Sequence, residues 1–108
     1  MDTVVACSTP FGSSALSVVR VSGPKTKSFI LSLQKKPKKI KHNSPFLASF
    51  FDEDGAVFDE GIINVFLGPS SYTGEDLAEI SCHGNPIIVD RLISLACAFG
   101  CRLAEPGE

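Results

Sequence analysis

Residues 45–66 read PFLASFFDEDGAVFDEGIINVF, and this stretch decides the fold class. Two runs rich in aromatic and branched side chains, 45–51 and 57–66, flank Asp52-Glu53-Asp54-Gly55. An Asp-Gly step suits a hairpin turn that needs positive φ, so two antiparallel strands are expected here. Upstream, residues 15–22 read as a strand with Leu16, Val18 and Arg20 on one face and Ser17, Val19 and Val21 on the other. Residues 2–9 read as another, ending at the turn cluster Thr9-Pro10-Phe11-Gly12. Ser22-Gly23-Pro24 is expected to start a helix, with Pro24 at its first position and Thr26, Ile30 and Leu33 as its buried stripe. That helix should stop before Pro37.

Downstream, the stretch from Gly68 to Gly74 is loop, and residues 77–82 form a short strand. Leu77, Glu79 and Ser81 lie on one of its faces, Ala78, Ile80 and Cys82 on the other. Asn85 can cap a helix that Pro86 opens. Ile88, Leu92, Leu95 and Phe99 repeat along it at helical spacing, and Gly100 stands where a left-handed cap is wanted. Residues 101–104 allow one more short strand. The order β-β-α-β-β-β-α-β predicts an α+β fold, a mixed sheet of five to six strands with two helices.

Composition sets the frame around these elements. The chain has 108 residues, 44% of them apolar and 20% charged, which suits a single domain over residues 1–108. No apolar run approaches the ~18–20 residues of a membrane span, and the N-terminus lacks a signal-peptide pattern, so a cytoplasmic protein is expected. Cys7, Cys82, Cys97 and Cys101 contain no Cys-x-x-Cys; reduced cysteines in a core are favoured over disulfides or a zinc site. Glu105-Pro106-Gly107-Glu108 reads as the start of a linker or the edge of a longer chain.

Charge is unevenly distributed. Residues 1–42 carry eight basic and one acidic residue, residues 43–108 two basic and eleven acidic. Lys35, Lys36, Lys38, Lys39 and Lys41 crowd one stretch. Clustered lysines can displace counterions from RNA phosphates, but no stacking aromatics accompany these, and a solvated connector is the simpler reading.

Several chemistries are missing from the sequence. It contains no Gly-x-x-x-x-Gly-Lys-Ser/Thr loop, no Gly-x-Gly-x-x-Gly and no His-Glu-x-x-His, and His42 and His83 are its only histidines. Catalysis by these residues alone is not expected. Two charges, however, break the strand pattern: Arg20 follows Leu16 and Val18, and Glu79 sits inside Leu77-Ala78-Glu79-Ile80. A charge on a sheet needs a partner or water. The two could face solvent, pair with each other across neighbouring strands, or form a ligand site. A carboxylate matches the adjacent ring N–H and amino donors of a pterin or guanine, and a guanidinium matches oxygens.

Four stretches carry a family resemblance: Asp2-Thr3-Val4-Val5-Ala6 through Gly12; Val18-Val19-Arg20-Val21-Ser22-Gly23-Pro24; Gly68-Pro69-Ser70-Ser71-Tyr72-Thr73-Gly74-Glu75-Asp76 with Glu79; and His83-Gly84 followed by residues 102–108. Together they resemble the N-terminal domain of the tRNA modification GTPase family called MnmE or TrmE, over nearly the whole chain. The resemblance implies a fold like the folate-binding part of aminomethyltransferases. It also implies a bound tetrahydrofolate derivative of the 5-formyl type, a homodimer, and a flavoprotein partner, MnmG or GidA, with which the family modifies the wobble uridine of tRNA at C5. The family's folate-contacting Arg and Glu fall on Arg20 and Glu79. GTP, magnesium and potassium belong to a G domain inserted in a helical domain, neither of which lies within these residues, so GTP hydrolysis is not expected of them.

The chain departs from the family pattern at Ser13-Ser14-Ala15, where most relatives have a Gly- and Arg-rich turn, and at Asn85, where most have glycine. Two other functions are weighed beside this one: a stand-alone one-carbon transfer domain, and a tRNA-binding module using the stretch from Lys35 to Lys41.

Overall fold

The computed structural model describes residues 2–8, 15–35, 39–69 and 74–105. The expected hairpin is present as β3 (Phe46–Phe51) and β4 (Val57–Phe66), antiparallel and turned at Gly55 with φ 82°. The Asp52 carboxylate accepts the N–H groups of Asp54 and Ala56, so the acidic turn organises its own backbone. Around it lie β1 (Val4–Cys7), β2 (Leu16–Ser22), α1 (Thr26–Leu33), β5 (Leu77–His83), α2 (Pro86–Phe99) and β6 (Arg102–Leu103). The α+β class and the element order match the expectation.

All six strands join one sheet in the order β3-β4-β5-β2-β1-β6. Only β6 runs parallel to its neighbour, through Val4↔Arg102 and Val5↔Leu103. The two helices cover one face. Val5, Val19, Val21, Ile63, Val65, Ala78 and Ile80 point into this layer and are buried, together with Phe29, Ile30, Leu33, Leu92 and Ala96 of the helices. The alternate residues of the same strands form an open second face, on which Leu16, Leu47 and Ile62 are exposed. A half-covered antiparallel sheet is what alternating strands in this chain require.

The helix ends refine the sequence reading. Asn85 caps α2 by accepting from the Ile87 N–H at 2.8 Å, Pro86 opens it, and Gly100 closes it at φ 114°. The α2 stripe is centred on Leu92 and Ala96, which are fully buried. Ile88 and Leu95 pack at its margin, and Phe99 is 37% exposed, its ring tilted against Phe29 at 5.7 Å. Helix α1 begins later than expected. Pro24 lies in a turn and Lys25 is the N-cap, with its backbone N–H held by the Thr3 hydroxyl at 2.9 Å. That tertiary hydrogen bond satisfies the backbone N–H of the N-cap residue itself, a contact invisible to local sequence. Thr26, Ile30 and Leu33 are buried as expected, joined by Phe29.

Leu92 has no exposed surface and joins α2 to the sheet. Leu92→Ala should lower unfolding free energy by about 2–5 kcal/mol without changing strand content, as measured by urea titration followed by circular dichroism.

Candidate functional site

Strands β2 and β5 pair antiparallel over seven residues, from Leu16↔His83 to Ser22↔Leu77. This register sets Arg20 directly opposite Glu79 on the open face. The Arg20 Nε donates to Glu79 Oε2 at 2.9 Å, and Nη2 lies 2.7 Å from the same oxygen. The side chains are 51% and 25% exposed. Of the three arrangements considered for these charges, cross-strand pairing is the one found. It offsets the desolvation of a half-buried carboxylate and fixes its rotamer. Because both donors use Oε2, Glu79 Oε1 and Arg20 Nη1 have no partner among the described residues. The pair therefore presents one acceptor and one donor edge to the open side.

The row continues onto β4, where Asn64 stands opposite Glu79. The Asn64 Nδ2 donates to Asn43 Oδ1 at 3.1 Å, while its own Oδ1 is enclosed with no partner among the described residues. Asn43 takes φ 47° and donates its N–H to the Val65 carbonyl at 2.7 Å, folding the segment before β3 against β4. His42 beside it accepts the Leu67 N–H through Nδ1 at 2.9 Å. That hydrogen bond anchors the exit of β4.

The loop after β4 carries the most distinctive motif of the sequence. Residues 70–73 lie outside the described residues, as do the turn 9–14 and Pro106-Gly107-Glu108. The described ends of the loop do structural work. Gly68 donates its N–H to Asp76 Oδ1 at 3.0 Å, and a Cβ at Gly68 would collide with the Gly74 carbonyl and the Glu75 backbone. The Asp76 carbonyl accepts from the Gly23 N–H at 2.9 Å and from the Thr26 hydroxyl at 3.2 Å. The Ser22 hydroxyl donates to Glu75 Oε1 at 2.9 Å. The acidic end of the motif is thereby tied to the β2–α1 turn, where it closes the loop on itself.

A second side-chain pair carries no signal in the sequence. Asp59 of β4 receives the His83 backbone N–H on Oδ2 at 2.9 Å and lies 2.7 Å from the His83 Nδ1 through Oδ1. The aspartate side chain is 7% exposed and the imidazole 67%. Their separation of 24 positions leaves no local signature of the contact. Burial pushes the Asp59 carboxyl up, but the backbone N–H groups of His83 and Glu60 and the His83 ring outweigh it, and the net shift is downward. A lowered carboxyl stabilises the fold above its unfolded value near 4, and that contribution is lost as pH falls through the folded value. Asp59→Asn should thus cost about 1–3 kcal/mol at neutral pH. Urea titrations should show the gap between variant and wild type narrowing only below about pH 4.

The four cysteines divide evenly. All four are free; Cys82 and Cys101 are buried, as the reading of reduced core cysteines expects, whereas Cys7 and Cys97 are exposed. Burial, with the charges of Asp59 and Cys7 added, pushes the Cys82 thiol up to about 11. The Cys101 thiol is also raised, by burial and Cys97, with Lys25 opposing. Maleimide labelling at pH 8 should therefore modify Cys7 and Cys97 well before Cys82 and Cys101, as read by mass spectrometry of the intact chain and its peptides.

Within the lysine stretch, Lys35 sits 6.0 Å from the Phe51 ring centroid beside the edge strand β3, and Lys39 and Lys41 are exposed. Lys36 and Lys38 lie outside the described residues. Among the described residues, no helix is long and apolar enough to cross a membrane.

Comparison with known proteins places this geometry in context. A family model described as the GTP-binding protein TrmE N-terminus matches residues 3–108. A tRNA modification GTPase MnmE of Legionella pneumophila (strain Paris) is 41% identical over 108 residues, all of this chain. The protein of the same name from Aquifex aeolicus is 39% identical over 107 residues, and that from Malacoplasma penetrans 40% over 107, each covering 99% of this chain. The chain spans 24% of the length of each of these relatives.

Proposed function

We propose, from the premise that this chain belongs to the family of the TrmE N-terminus, that it is the folate-holding and self-associating part of a tRNA modification GTPase. The observation that carries the reading is the Arg20–Glu79 pair. Two strands hold a carboxylate on an open sheet face with one oxygen committed to arginine and the other without a partner among the described residues. A reduced pteridine offers a ring N–H beside an amino group, two donors that suit such an oxygen and its neighbourhood. Arg20 acts here chiefly by orienting Glu79, and its Nη1 remains for a ligand oxygen. The donor set thus fits a tetrahydrofolate of the 5-formyl type, which when bound would supply a one-carbon unit.

Self-association is part of the proposal. Leu16 and Leu47 expose apolar surface on the face that carries the pair, and this surface is available to a second copy. In the parent protein this module would act in the cytoplasm with the MnmG or GidA flavoprotein on the wobble uridine of tRNA, while a G domain elsewhere hydrolyses GTP.

Calorimetric titration of 5-formyltetrahydrofolate tests the site. Glu79→Gln should weaken binding by about 1–3 kcal/mol, roughly 5- to 150-fold, with an unchanged circular dichroism spectrum. An affinity equal to that of wild type would remove Glu79 from the site. Sedimentation equilibrium at micromolar concentrations should give twice the mass of one chain; a monomer would remove the self-association.

A further inference from the structure

The open face has a graded chemistry along β5 and β2. At one end stand Glu79 and Arg20. The next row in register holds Ile62, Ser81 and Val18, and Ile62 is 42% exposed. The row after that pairs His83 with Leu16, itself 59% exposed. Glu79, Ser81 and His83 alternate onto the same side of β5, and four residues of strand put Glu79 and His83 about 13 Å apart at ~3.3 Å per residue. The face therefore runs from a carboxylate–guanidinium pair, across a mostly apolar strip, to an imidazole.

That imidazole is held in place. The Asp59 carboxylate, 7% exposed, contacts Nδ1 at 2.7 Å and also takes the backbone N–H of the same residue. With Nδ1–H committed to Asp59, the ring's other nitrogen, Nε2, is turned away from the carboxylate and has no partner among the described residues. A buried acid orienting a mostly exposed histidine is more than a hairpin staple needs, since the backbone N–H alone would tie β5 to β4.

We propose that His83, oriented by Asp59, receives the glutamate carboxylates of a bound folate. The inference rests on the reading that Arg20 and Glu79 hold the pteridine. A folate has the same three-part order as the face: a hydrogen-bonding heterocycle, a flat apolar aminobenzoyl ring and an anionic tail. The aminobenzoyl ring lies over Val18, Ser81 and Ile62. As the anionic tail binds, the ring takes a proton from solvent at Nε2, and Nε2–H donates to a tail carboxylate, so that the ring stands between two anions, one from the protein and one from the ligand.

The experiment compares two ligands, 5-formyltetrahydrofolate and 5-formyltetrahydropteroate, which lacks the glutamate. They are titrated into wild type, His83→Asn and Glu79→Gln. An asparagine amide can still donate to Asp59, so His83→Asn removes the outward nitrogen while keeping the inner hydrogen bond; an unchanged melting midpoint verifies this. Wild type should prefer the glutamate-bearing ligand by about 10- to 150-fold, as expected of one charge-assisted hydrogen bond. His83→Asn should abolish that preference by weakening the folate alone, and Glu79→Gln should weaken both ligands alike.

A wild type without the preference, or a His83→Asn protein that retains it or loses both ligands equally, overturns the tail contact and leaves the pteridine site standing. A Glu79→Gln protein that binds both ligands as wild type does, or a wild type that binds neither, overturns the site and the tail contact together.

Discussion

The antiparallel register between β2 and β5 is the constraint on which the rest depends. Fifty-nine residues separate Arg20 from Glu79, yet seven successive pairs hold the two strands at the centre of the sheet. Strand side chains alternate faces, so this one register settles two things at once. It sends Val19, Val21, Ala78 and Ile80 beneath the helices and brings Arg20 and Glu79 together above. A slip of one residue would turn one of the two charges inward and expose the core residues of that strand.

The same constraint explains the division of labour between the faces. The helix-covered face carries the stability: its residues are nearly all apolar, and its main polar insertion, Thr26, is satisfied by the carbonyls of Val21 and Asp76. The open face carries the polar groups that can meet a ligand. Its loops are fastened from the side. Thr3 caps α1, Glu75 and Asp76 hold the β2–α1 turn, and His42 holds the exit of β4. Residues that look functional because they are polar and closely spaced, Glu75 and Asp76 among them, turn out to be structural anchors in a loop whose ends nearly touch.

Family membership and the site geometry bear on different questions. The match over residues 3–108 shows the family to which this chain belongs. Only the geometry shows how Arg20 and Glu79 relate, sharing a single carboxylate oxygen and leaving the other on the open face without a partner among the described residues.

Local sequence determined the elements themselves. Alternation in residues 16–22 and 77–83, the Asp-Gly turn, the Asn85-Pro86 cap and the Gly100 stop all act within a few neighbours, so propensity and periodicity suffice to locate them. Arg20 and Glu79 were legible for the same reason, as charges that interrupt an apolar alternation. Contacts between distant segments were decided by the tertiary structure alone. The delayed start of α1 goes with a hydroxyl 22 residues away, the Asp59–His83 pair spans 24, and the α2 stripe is centred on Leu92 and Ala96, the residues of that helix buried against the sheet. Such features depend on which strand lies beside which, and strand pairing is a long-range choice that no local window of sequence contains.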